Sequence, residues 1–121
     1  MPSESCYKEK FDLVDYSENR MPGETYEQCV FSNCNFFNSD LSRIAFTDCQ
    51  FSNCNFSMTS IIDAAFKIVA FQQCKLMGID FSKCDDFLFS ASFTGCTLDY
   101  SIFEAKNLKI TKLDRCSLKD V

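Results

Sequence analysis

A net charge of −5, from 12 Lys and Arg against 17 Asp and Glu over 121 residues, suits one small acidic domain and argues against a protein that grips nucleic-acid phosphates directly. There is no run of 18 apolar residues, and Met1-Pro-Ser-Glu-Ser offers no basic start, so neither a membrane span nor a secretory signal is expected and the location reads as cytoplasmic. The chain has no His, no Gly-rich phosphate loop and no Gly-x-Ser-x-Gly turn, so it reads as a non-enzyme with no catalytic residue and no cofactor.

Residues 1–28 hold seven acids and three bases, whereas 29–121 hold ten acids and nine bases. Residues 1–25 read as a leader that caps the fold or forms an irregular first coil, with a turn at Pro22-Gly23, although Phe11, Tyr16, Met21 and Tyr26 already mark a count of five. From Cys29 the count is regular: a large apolar residue returns every fifth position, with a small residue two places before it. Examples are Cys29-Val-Phe31, Cys34-Asn-Phe36, Ser39-Asp-Leu41 and Ile44-Ala-Phe46. A period of five fits neither a helix nor a flat strand, so the chain must turn a corner every five residues.

If four such sides close a square coil, residues 20 apart stack about 4.8 Å from one another. The first wall then stacks Phe31, Phe51, Phe71, Phe93 and Leu113, and the second Phe36, Phe56, Leu76, Leu98 and Leu118. The third stacks Leu41, Ile61, Phe81 and Phe103, and the fourth Tyr26, Phe46, Phe66, Leu88 and Leu108. This frame needs two extra residues, placed in an outward bulge near 82–87. It also sets Asp86 and Lys106 on inward small positions, and the bulge is expected to turn at least one of them to solvent. Residues 26–121 thus read as an all-β solenoid of about five coils, cut short at its C-terminus.

Nine cysteines in a small chain suggest disulfides, but the repeat explains seven of them as compact inward fillers, five in one column: Cys34, Cys54, Cys74, Cys96 and Cys116. Stacked thiols that point the same way are poorly placed for a disulfide, and without His no mixed zinc site forms, so no metal is expected. Cys6 and Cys84 are the expected accessible thiols.

The pattern resembles the pentapeptide-repeat family over nearly all of residues 26–120, which implies a right-handed quadrilateral β-helix. The expected function is a non-catalytic protein-interaction module. Its candidate partner surface is the apolar residues that follow the central positions: Phe37, Met58, Met77 and Tyr100, with Ile68, Phe87, Phe89 and Ile110 on a neighbouring wall, together expected to form one patch on two adjoining sides. The alternative implied by the resemblance is a bacterial DNA-mimic protein that binds DNA gyrase or topoisomerase IV and protects it from quinolones. Its acids would be Asp40, Asp48, Asp63, Asp80, Asp99 and Glu104. The partner is a protein, with a type II topoisomerase as the sharper candidate. Direct nucleic-acid or membrane binding is not expected, and the open C-terminal coil admits a homodimer.

Overall fold

A five-residue side leaves room for only about three residues in β geometry between corners, and the strands are correspondingly short. The computed structural model describes residues 5–103 and 108–121. In chain order the strands are β1 (Ser5–Tyr7), β2 (Lys10–Asp12), β3 (Thr25–Glu27), β4 (Val30–Ser32), β5 (Ala45–Thr47), β6 (Gln50–Ser52), β7 (Ala65–Lys67), β8 (Val69–Gln72), β9 (Ser90–Thr94) and β10 (Lys109–Asp114). All pairing is parallel. Strands β1-β3-β5-β7 make the fourth wall, and β10-β9-β8-β6-β4-β2 make the first. Single bridges hold the other two walls, such as Asn35 with Asn55 on the second and Asp40 with Ser60 on the third.

The register is 20 residues in the lower coils: Phe11 faces Phe31, Phe31 faces Phe51, and Phe51 faces Phe71. It begins with Ser5 opposite Thr25, so residues 5–25 run in the same 20-residue register as the coils that follow. The core is a set of ring columns. Phe31 and Phe51 stack 4.8 Å apart and Phe36 and Phe56 4.6 Å apart, while rings on neighbouring walls meet edge to face, as Phe51 and Phe56 do at 5.0 Å. Offset stacks along a wall and T-shaped contacts across corners are the two favoured arrangements of aromatic quadrupoles, and a square coil supplies both.

The small position does more than leave space. The Cys54 thiol lies 3.5 Å from the Phe31 carbonyl, Cys74 3.3 Å from that of Phe51, and Cys96 3.3 Å from that of Phe71. Thr59 Oγ1 donates to the Phe36 carbonyl at 2.6 Å, and Ser101 Oγ to the Leu76 carbonyl at 2.6 Å. In each case a small donor reaches the carbonyl of a central residue one coil below. This is why Cys, Ser and Thr share a position that packing alone would give to Ala.

Corners are made with φ near +55°, and among the described residues seventeen of these are not glycine, so the left-handed turn comes from the coil and not from Gly. Most corner N–H groups are anchored to the next coil, as Gln28 N is to the Thr47 carbonyl and Asp48 N to that of Lys67. Ile68 is the costly corner. It is β-branched, exposed, at φ 55°, and among the described residues its amide finds no such acceptor, the register being lost above it. Replacing Ile68 with Asn, which tolerates this conformation, is expected to stabilise the fold by about 1 kcal/mol. Thermal melting checks this: the transition should rise by a few degrees, and a fall would mean that Ile68 packs usefully.

The bulge lies later than the sequence suggests. Ala65 still pairs with Asp85, 20 residues on, but Val69 pairs with Ala91, 22 on, so the extra residues fall between 85 and 91. The fourth-wall assignment is corrected with it. Leu88 sits at a corner with φ 58° and is 64 % exposed, while Phe89, 2 % exposed, enters the core with its ring 6.2 Å from Phe66. A full ring fills the space above Phe66 that a five-residue count assigned to Leu88. Asp86 is half-buried and so reaches solvent as expected, and Lys106 lies outside the described residues. A second irregularity follows in β10, between Ile110 and Lys112, where Thr111 Oγ1 reaches the Ala91 carbonyl at 3.3 Å. Leu113 and Leu118 are exposed rather than buried, because no further coil lies over them among the described residues.

No disulfide joins any of the nine cysteines among the described residues. Cys84, expected to be accessible, is buried: it stands 20 residues after Ala64 at the inward position, with its thiol 3.1 Å from the Phe81 carbonyl, and burial pushes its pKa up to about 12. Burial likewise pushes Cys49 up to about 11. The half-buried Cys6 and Cys116 are therefore the first thiols expected to react with a maleimide in the native protein, with Cys54, Cys74 and Cys84 far slower. Mass mapping of the labelled sites checks this order, and early labelling of Cys74 would contradict the packing.

Candidate interaction surfaces

Residues one or two places after a central position point outward, so the rod's corners display what the core does not use. After the second wall these are Phe37, Met58, Met77 and Tyr100; Phe37, Met58 and Tyr100 are exposed, and Met77 is half-buried. The Met58 sulfur lies over Gly78, a corner glycine at φ 69°, where an added Cβ would stand 2.9 Å from it. Gly78 thus lets Met58 lie flat along the rod towards the next coil. Ile62 and Ile102, on the third wall, extend this apolar side; the repeat count did not single them out.

The other group differs from expectation. Phe87 and Ile110 are exposed, but Phe89 is a core residue and no part of any surface. Its place is taken by Leu88, beside the exposed Ile68, with the Lys67 ammonium 5.9 Å from the Phe87 ring centroid. These residues follow the fourth wall. The second and fourth walls are opposite sides of the square, separated by the first and third, so the two groups are two strips on opposite corners and not one connected patch. The sequence listed the residues, but only the order of the walls separates them.

Three of the six candidate acids are engaged within the fold. Asp40 Oδ1 accepts from Ser42 N at 2.9 Å and its Oδ2 lies 3.7 Å from Arg20; the Ser42 hydrogen bond chiefly holds its pKa below the usual carboxylate value. Asp80 Oδ1 accepts from Ser82 N at 3.0 Å. Asp99, expected outside, is 8 % exposed and ties the last coil down by accepting from Lys119 N at 2.9 Å and Ser117 Oγ at 2.7 Å. Asp48 and Asp63 are exposed, and Glu104 lies outside the described residues.

The backbone bond from Lys119, with that from Ser117, lowers the Asp99 pKa from 3.8. A lowered folded-state value stabilises the fold above the unfolded pKa, and this contribution is lost as pH falls through the folded value. The final coil is therefore expected to loosen below about pH 4 in the native protein but to show a smaller pH response in Asp99→Asn, which amide exchange at Lys119 would report.

Among the described residues no group of three or more Cys, Asp or Glu side chains could hold a metal ion, and no helix is long and apolar enough to cross a membrane.

A parallel solenoid with a five-residue side, ring columns and a small inward donor defines a class of repeat protein. The family model described as the pentapeptide repeat region matches residues 25–103 and 46–121, and the chain belongs to that family. No curated protein matches it. Among solved structures it is similar to a pentapeptide repeat protein, Rfr23, from the cyanobacterium Cyanothece 51142, with 18 % identity, 94 % of this chain and 90 % of that one covered, and a TM-score of 0.80. It is also similar to full-length QnrB1, a plasmid-mediated fluoroquinolone resistance protein, with 17 % identity, 96 % and 94 % coverage, and a TM-score of 0.51. At these identities the likeness is one of fold.

Proposed function

We propose that this chain is a non-catalytic protein-interaction module, a rigid rod that presents an apolar strip to a protein partner. The observation that carries this reading is the corner strip of Phe37, Met58 and Tyr100: large apolar side chains left exposed along one edge of a rod whose core is already filled by other rings. Such a strip, on a scaffold that holds it in register, suits a partner with a complementary apolar groove. Capture of binding partners from a lysate of the source cells tests it. Phe37→Ser with Tyr100→Ser should abolish capture while leaving the melting temperature nearly unchanged. Equal capture by the variant would end the reading.

The second reading, protection of a type II topoisomerase by DNA mimicry, draws on the fold likeness to QnrB1 and on the exposed Asp48 and Asp63. It is the weaker one for this chain. Asp40, Asp80 and Asp99 are occupied by Arg20, Ser42, Ser82, Ser117 and Lys119, and nine bases offset ten acids from residue 29 onwards.

A further inference from the structure

The second wall carries a column of thiols, Cys34, Cys54, Cys74, Cys96 and Cys116, one on each successive coil, and no partner-binding role uses them. They share one orientation, each set against the carbonyl of a central residue one coil below at 3.3–3.6 Å, so successive sulfurs are related by the coil-to-coil step. That step is about 4.8 Å. A metal–thiolate bond is about 2.3 Å for zinc, so a straight sulfur–metal–sulfur bridge spans about 4.6 Å, close to the step itself. Zinc is a poor fit, because it wants four ligands converging as a tetrahedron and a column offers two in line. Soft monovalent cations are favoured by thiolate sulfur and accept two ligands.

We propose that the cysteine column is a binding site for a soft monovalent cation, of the copper(I) or silver(I) type, held in line between the thiolates of two successive coils, Cys54 with Cys74 or Cys74 with Cys96. On binding, each of two thiols loses its proton to solvent, the freed electron pair forms the sulfur–metal bond, and the cation sheds its water. The carbonyls of Phe31, Phe51 and Phe71 lose only a weak S–H donor. The route in is the end of the column, where Cys116 is half-buried, so loading is slow and proceeds inward. A filled site bridges neighbouring coils and stabilises the rod, because the metal binds the folded register and the unfolded chain offers no preset pair.

The test uses the reduced, folded chain and silver(I), which is not reduced or oxidised under the conditions used. Native mass spectrometry should show one or more silver ions per chain, and the melting temperature should rise by several degrees. The triple variant Cys54→Ser, Cys74→Ser, Cys96→Ser leaves no adjacent thiols in the column. It keeps a donor at each site of the kind that Ser101 already supplies to Leu76. It should lose the column's silver and the thermal shift, whereas Cys6→Ser, off the column, should keep both. Uptake unchanged in the folded triple variant would overturn the proposal. So would a silver-induced fall in the wild-type melting temperature, which reports capture of unfolded chain and decides the matter even if the triple variant does not fold.

Discussion

Phe51→Ala is expected to unfold much of the rod. The Phe51 ring stacks on Phe31 at 4.8 Å and on Phe71 at 5.2 Å, and meets Phe36, Phe46 and Phe56 edge to face at 6.0, 5.4 and 5.0 Å. Removing it opens a cavity that five rings line and none can fill without leaving its own stack. Large-to-small changes of this kind cost about 3–5 kcal/mol, a large share of the roughly 5–15 kcal/mol by which a domain is stable. In a solenoid the loss is shared by the coils on either side, so the melting transition should fall steeply or split. Phe37→Ala, which removes an exposed ring beside this column, should move it far less. Equal effects would mean that the inward and outward assignments are wrong.

The second large effect is a charge at an inward small position. Ala64→Lys is expected to prevent folding at ordinary temperature, because the site is fully buried at 0 % exposure and lies beneath the inward Cys84 of the next coil. The inward residues directly below and above it, Ile44 and Cys84, are buried and neither pairs with an ammonium. Burying an unpaired charge costs several kcal/mol, and an Ala-sized corner adds a packing clash. Ala64→Ser, by contrast, should be mild, since Ser39, Ser101 and Thr59 show that a hydroxyl at this position finds a carbonyl. Circular dichroism of the two variants distinguishes them, and a folded Ala64→Lys protein would contradict the packing at this corner.

These two expectations use parts of the fold that were legible before any coordinates. The five-residue count alone gave the walls, their 20-residue stacking and the cysteine column, because each repeat places one large side chain in a space set by backbone geometry. It failed where geometry and count part company. Leu88 keeps the count but Phe89 takes the core, because the insertion frees the chain to choose the side chain that continues the stack above Phe66. Cys84 was read as part of the bulge, yet the coil keeps its register up to Asp85 and buries it.

Surfaces were less legible than the core. Most residues after a central position lie outside, Phe89 being the exception, but whether they form one patch depends on the order of walls around the square, which opposes the Phe37 and Phe87 strips. The state of the acids was hidden too. That Asp99 is spent on Ser117 and Lys119 follows from a contact between coils 18 to 20 residues apart, to which no local pattern points. The donor role of the small residues could have been read from the sequence, since Cys, Ser and Thr recur where Ala would pack as well.

The choice between an apolar interaction rod and an acidic DNA mimic turns on what salt does to binding. Binding of the purified chain to purified bacterial DNA gyrase, measured at roughly 0.05 M and 0.5 M salt, tests it most directly, since the Debye length falls from about 14 Å to about 4 Å over that range. The interaction-module account expects no binding, or binding that salt barely changes and that Phe37→Ser with Tyr100→Ser weakens at least tenfold. Tight binding at low salt that is lost at high salt, and lost again in Asp48→Lys with Asp63→Lys, would contradict it.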